Sequence, residues 1–320
     1  MIMAWLLSGL GLLILLLAGD ALVKGAVNLS LRVGIPALIV SLTIVAFGTS
    51  APELLISVNA VLDDKPGLAL GNVVGSNTAN ILLVLGVPAL LAGLHTSSCS
   101  CQKTFMFMIV ATILFICLAF RGVFDWYAGI ILLAALAYVL FDAFRDASRH
   151  RRAVAALVDP DEDEDVEGAD PDMPWWQIYV FLGLGLIGLP LGADLLVHNA
   201  SIIASAFGVS DAVIGLTLVA LGTSLPELAT TVMAALRKQA DVALGNVIGS
   251  NMFNLLAIIG VTTLVGPIPV DPGFLKFDLW VMLAASLLLI PFVFFKQDIK
   301  RGWGITLTAL YLIYVVIVLT

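Results

Sequence analysis

Charge is what this sequence has least of. Only 12% of its 320 residues are Asp, Glu, Lys or Arg, against 61% hydrophobic and a mean hydropathy of +1.09. That balance excludes an ordinary soluble domain. Short segments alternating apolar and polar residues are missing too, which excludes a β-barrel and leaves helices to satisfy the backbone in lipid. Cysteine is limited to Cys99, Cys101 and Cys117, too few for a disulfide framework; the first two fall in an expected cytoplasmic turn and read as reduced. His95, His150 and His198 are the only histidines, and all lie outside the motifs described below. Without a paired histidine or a nucleophile beside a base, an intramembrane enzyme is not expected. No basic segment precedes the first apolar run, which flows on into Asp20, so it reads as a span and not as a cleaved signal peptide.

What is present is a series of apolar stretches, each long enough to cross about 30 Å of hydrocarbon as a helix. Ten are expected: Met3 to Val23, Ile35 to Leu62, Gly67 to Leu94, Phe105 to Phe120, Trp126 to Phe144, Ile178 to Ala206, Val213 to Leu236, Val242 to Val265, Leu279 to Phe295 and Ile305 to Leu319. Twelve of the fifteen basic residues fall in the odd-numbered connections, and only Lys65, Arg121 and Lys276 lie on the other side. Basic residues are retained in the cytoplasm, so both termini are expected outside and the central connection inside. Nine acidic residues crowd Asp159 to Asp172; the run lacks an EF-hand's turn glycine, with Val166 in its place, and reads as a polar, disordered linker. The expected organisation is a first five-helix unit over 1–144, a charged cytoplasmic linker over 145–174 and a second five-helix unit over 175–320.

The two units match. Shifted by 174 residues, Thr43 to Val87 aligns without a gap on Thr217 to Val261, with 24 identities in 45 positions, far beyond chance. The same offset pairs Asp20 with Asp194. Five spans per unit is an odd number, so the second unit enters the membrane in the opposite direction. The expected fold is therefore an all-α integral membrane protein of ten transmembrane helices, arranged as two inverted-topology five-helix repeats. Such repeats typify secondary transporters with a midplane site at broken helices; a channel could share the polar lining and stays a lesser alternative.

Each unit carries two polar motifs inside apolar spans. The first is Gly48-Thr49-Ser50-Ala51-Pro52-Glu53, repeated as Gly222-Thr223-Ser224-Leu225-Pro226-Glu227. Pro52 and Pro226 offer no N–H, so a helix break is expected that frees carbonyls at Ala46, Thr49, Ala220 and Thr223 to face a cation. The second runs from Gly71-Asn72 to Asn80 and recurs from Gly245-Asn246 to Asn254. Ser76 and Asn80, like Ser250 and Asn254, are four apart and share one helical face. The glycines in these runs, at GxxxG spacing, read as close-packing positions.

Glu53 and Glu227 decide the sign of the substrate. Two carboxylates in a membrane interior are costly and repel each other, and no Lys or Arg lies at matching depth in spans 2, 3, 7 or 8. The counter-charge must be a transported cation or protons. Carboxylate, carbonyl, hydroxyl and amide oxygens suit hard ions, and calcium takes about six to eight of them in flexible geometry, whereas magnesium demands a tighter octahedron. One divalent ion, or at least two monovalent ions, balances the two charges, a physical basis for exchange.

These paired motifs resemble the α-repeats of the calcium/cation antiporter superfamily, particularly prokaryotic sodium/calcium exchangers, and the resemblance covers the whole chain. It implies Ca2+ coordination by Glu53, Thr49, Glu227 and Thr223. Ser50, Ser76, Ser224, Ser250, Ala46 and Ala220 would help line flanking Na+ sites, with Asn80 and Asn254 as central polar partners. It also implies that the first and sixth helices slide across the core; their Asp20 and Asp194 read as interfacial caps. Some members, potassium-dependent ones among them, carry aspartate where this chain has Asn254. The expected activity is exchange of Ca2+ for Na+ by alternating access, with Ca2+/H+ antiport as the alternative. Transported ions apart, no cofactor is expected. The partners implied are the bilayer and the two ions, with neither a nucleic acid nor an obligate protein partner, and the expected location is the prokaryotic plasma membrane.

Overall fold

The computed structural model describes residues 1–156, 170, 172–208 and 220–319. Short helical turns at Ala220–Gly222 and Pro272–Lys276 apart, the helices in chain order are α1 (Ile2–Val33), α2 (Ala37–Thr49), α3 (Ala51–Leu62), α4 (Pro66–Leu91), α5 (Gln102–Ala119), α6 (Trp126–Ala156), α7 (Trp175–Ala206), α8 (Leu225–Leu236), α9 (Ala240–Val265), α10 (Asp278–Leu287), α11 (Ile290–Phe294) and α12 (Arg301–Leu319). Among the described residues, seven of these are long and apolar enough to cross a membrane, namely α1, α4, α5, α6, α7, α9 and α12. An eighth span arises if α2 and α3, bent by 43°, count as one. α8 and the pair α10 and α11 are shorter apolar helices. The start of the seventh expected span, at Val213, and most of the acidic run, 157–169, lie outside the described residues.

Two boundaries differ from expectation. The first helix does not stop near Val23 but runs ten residues further, until Gly34 adopts φ 72° and its N–H bonds back to Ser30 and Leu31, the left-handed C-cap glycine permits. Asp20 and Lys24 each find a partner within this longer helix: Asp20 accepts from Arg237 at 2.6 Å, and Lys24 Nζ sits 4.7 Å over the Phe181 ring. Asp194 is likewise interior to its 32-residue helix, so neither aspartate caps a helix end. At the other boundary, α6 continues through the basic cluster to Ala156, making the first part of the expected linker helical.

Burial separates a centre from a periphery. In their most apolar windows, 78% of α4 and 83% of α9 is buried, against 33% or less for α1, α6, α7 and α12. The outer helices instead expose large apolar side chains such as Leu13, Leu17, Phe144, Leu184, Ile187, Leu312 and Val316, as lipid-facing surfaces do. α1 and α7 lie against each other through small residues. A Cβ on Gly11 would come within 2.6 Å of Leu196 N, and one on Gly192 within 2.9 Å of Leu15 N. α9 approaches α2 as closely, since a Cβ on Gly249 would meet Leu42 O at 2.6 Å.

Connections from different halves are stitched together. Strand β1 (Val123–Phe124) pairs antiparallel with β2 (Ile268–Pro269), and Leu94 bridges Ile299. Because Leu94 and Ile268 are 174 residues apart, the two stitches are near-equivalents of one another under the sequence offset.

Candidate cation site at two matched helix breaks

Pro52 and Pro226 each sit one residue inside a helix that restarts after a break. The residue preceding each restart leaves the helical region identically: Ser50 has φ −87°, ψ 3° and Ser224 φ −87°, ψ 1°. Proline has no N–H for the carbonyl four residues back, that of Gly48 or Gly222. The break does not free every expected carbonyl, however: Ala46 O accepts from Ser50 N at 3.0 Å and from the Thr49 hydroxyl at 3.3 Å. In the second half the matching amide, Ser224 N, bonds Leu221 O instead. Glu53 and Glu227 therefore stand in the first turns of α3 and α8, where the helix dipole favours negative charge.

Both carboxylates are buried, and neither forms an ion pair among the described residues. Ser50 Oγ donates to Glu227 Oε1 at 3.2 Å across the two halves. Among the described residues, Oε2 of Glu53 and Oε2 of Glu227 have no hydrogen-bond partner. A buried carboxylate oxygen without a donor is costly unless a cation or proton meets it. No group of three or more His, Cys, Asp or Glu occurs among the described residues, so an ion held here would be held by two carboxylates and neutral oxygens, a donor set for a hard cation.

The structure brings Thr49 to Ser250 and Ser50 to Glu227, and buries the other described residues of the anticipated set. Thr49 lies 3.5 Å from Ser250 and within hydrogen-bond reach of Asn246. Thr49, Ser50, Ser76, Asn80, Thr223, Ser224, Ser250 and Asn254 are all buried, as is Ala46; the Ala220 side chain lies outside the described residues. Asn80 Nδ2 donates to Asn251 Oδ1 at 3.0 Å, while neither amide atom of Asn254 has a partner among the described residues.

Other polar residues escaped the sequence reading as positioning groups. Asn72 Nδ2 donates to Glu53 O and to Ser57 Oγ at 3.3 and 3.1 Å; Asn246 Nδ2 repeats this with Glu227 O and Thr231 Oγ1 at 3.4 and 3.2 Å. Each asparagine thus fastens the backbone under its glutamate. The signal was present, because both asparagines fall inside the repeated motif. A π-helical turn begins at Asn80 in α4 and at Phe253, beside Asn254, in α9; such turns rearrange side chains at functional sites.

The chain matches the family described as sodium/calcium exchanger protein over residues 3–144 and 177–320. It is 38% identical over 291 residues to the putative antiporter CaxA of Alkalimonas amylolytica, covering 91% of this chain and 89% of that one. It is 34% identical to the sodium/calcium exchanger MaX1 of Methanosarcina acetivorans, covering 96% of each. Its structure is similar to that of the sodium-calcium exchanger NCX_Mj soaked with 2.5 mM Na+ and 0.1 mM Ca2+, with a TM-score of 0.82 and 32% identity over 99% of this chain and 98% of that one.

Proposed function

The chain belongs to the sodium/calcium exchanger protein family, and on that premise we propose that it exchanges Ca2+ for Na+ at one site built on Glu53 and Glu227. As a family member it is an integral membrane cation antiporter and not an enzyme. The observation that carries the specific site is the meeting of the two halves: Ser50 of the first bonds Glu227 of the second, and Glu227 and Glu53 are both buried with no ion-pair partner among the described residues.

In this reading Glu53, Glu227 and the Thr49 and Thr223 carbonyls hold Ca2+. Ser50, Ser76, Ser224, Ser250, Ala46 and Ala220 contribute to flanking Na+ positions, and Asn80 and Asn254 lie between them. Two carboxylates are neutralised by one Ca2+ or by at least two Na+, and the ions compete for the same oxygens. Neither loaded form then carries a large uncompensated charge through the membrane. Access alternates between the two faces as α1 and α7 move against the core of α2, α3, α4, α8 and α9.

The same reading takes the architecture as ten spans in two inverted repeats, 1–144 and 175–320, joined by the 145–174 linker. It places both termini outside a prokaryotic plasma membrane. The recurrence of Ser50 geometry at Ser224 and of the Asn72 bonds at Asn246 supports the duplication.

The test is uptake of radiolabelled calcium into proteoliposomes loaded with sodium, compared with potassium-loaded vesicles and with an imposed pH gradient, at clamped potential. Uptake that requires internal sodium supports the proposal. Uptake driven by the proton gradient alone would replace it with Ca2+/H+ antiport at the same carboxylates.

A further inference from the structure

We propose that the Asp20–Arg237 ion pair is a latch that holds α1 on α8 in the conformation seen here, and that the opposite conformation has a like-charge pair, Asp63 with Asp194, where its latch would be. The inference rests on the alternating-access reading and adds to it residues that bias one end state against the other.

The pair joins two bodies. α1 is fastened to α7 by glycine-mediated backbone approach and by Lys24 over Phe181 and Arg32 over Trp175. Arg237 caps the end of α8, the helix that begins beside Glu227. Its Nε lies 2.6 Å from Asp20 Oδ1, with the two side chains 20% and 32% exposed, so solvent screens the pair less than one at an open surface. At the residue before Asp20, a Cβ on Gly19 would meet Ala229 O at 3.0 Å and the Met233 side chain at 3.3 Å. α1 therefore covers α8 along this stretch.

The 174-residue offset maps Arg237 onto Asp63 and Asp20 onto Asp194. The two turns share one backbone: Asp64 and Lys238 both have φ 57°, and Lys65 N to Ala60 O and Gln239 N to Ala234 O are both 2.8 Å. Only the charge differs, since Asp63-Asp64 stands where the other half has Arg237-Lys238. The cover differs as well. Met233 is half-buried under α1, whereas its offset counterpart Asn59 on α3 is exposed, as are Asp63 and Asp194. If the halves exchange roles, α7 comes to cover α3 as α1 now covers α8, and Asp194 approaches Asp63. One end state then gains an attraction and the other a repulsion, and a half-exposed pair of this kind shifts a two-state equilibrium about fivefold.

The test reads conformation and not transport. The purified full chain carrying Met233→Cys, or separately Asn59→Cys, is labelled with a hydrophilic maleimide, and the rate at that position is followed by peptide mass spectrometry. Arg237→Gln is expected to speed labelling at position 233 about fivefold and to slow it at 59. Asp63→Arg, which gives Asp194 an opposite charge, is expected to move both rates the same way. The charge exchange Asp20→Arg with Arg237→Asp should restore the unsubstituted rates, which a loss of folding could not do. Unchanged rates in Arg237→Gln, or a charge exchange that labels as fast as the single substitution, would overturn the latch. Sodium-driven calcium uptake by the unsubstituted chain reports on the exchanger proposal separately.

Discussion

Ser50 donates its hydroxyl hydrogen to Glu227 Oε1 at 3.2 Å, although 177 residues separate the two in sequence. Among the described residues no matching bond joins Ser224 to Glu53, so two halves that share motifs and backbone angles are not in the same state. A hydrogen bond to a charged group contributes about 1.5–3 kcal/mol. Ser50→Ala is therefore expected to raise the apparent KM for calcium by roughly tenfold or more, and Ser224→Ala by less. Sodium-dependent uptake measured over a calcium series checks this, and equal effects at the two positions would count against the asymmetry.

Glu53→Gln and Glu227→Gln each remove one of the two charges proposed to balance the cation, while keeping the side chain's volume. Each is expected to abolish calcium exchange and leave the protein monodisperse in detergent with its helical circular dichroism intact. Persistent flux in the folded double variant would refute the site.

How much of this was legible beforehand depends on what the residues interact with. Glu53, Glu227 and the polar stripe of α4 and α9 stood out because carboxylates and amides in apolar spans have few explanations and these occur twice. The extent of α1 was not legible, because Asp20 and Lys24 end the apolar run in sequence, and the residues that meet them inside the helix, Arg237 and Phe181, are distant in sequence. Nor were the π-helical turns at Asn80 and Phe253, whose sequences continue an ordinary helical pattern. The Ala46 carbonyl, expected to be free, accepts from Ser50 N in the ordinary helical ladder, because the donor that Pro52 lacks would have served Gly48 and not Ala46.

The stitch between the connections at Leu94 and Ile299 has a pH signature. Partial burial works to raise the Asp298 carboxyl, but the Ser97 N–H at 3.0 Å and the His95 ring at 3.4 Å outweigh it and hold Asp298 below the usual carboxylate range. A carboxyl lowered in the folded state stabilises the fold above its unfolded pKa of about 4, and that contribution is lost as pH falls through the folded value. Thermal unfolding in detergent between pH 7 and pH 3 should show a smaller acid-dependent fall in Tm for Asp298→Asn than for the unsubstituted chain. Parallel curves would mean that Asp298 does not contribute.

Asn254 offers the most direct way to change the ion balance. It is fully buried, lies in a π-helical turn, and has neither amide atom hydrogen-bonded among the described residues, whereas its offset partner Asn80 is paired with Asn251. Replacing it with the isosteric aspartate adds a third carboxyl without adding volume. That group must either take a proton or be balanced by a further cation, and both routes couple transport to a monovalent species. Asn254→Asp is expected to change the dependence of calcium uptake on sodium, potassium or pH by severalfold while shifting Tm only slightly. The measurement is uptake at fixed calcium over separate series of the two monovalent ions and of pH. Were all three profiles to superimpose on those of the unsubstituted chain, Asn254 would lie outside the volume that the ions occupy, and the cation would have to be held by the glutamate end of the site alone.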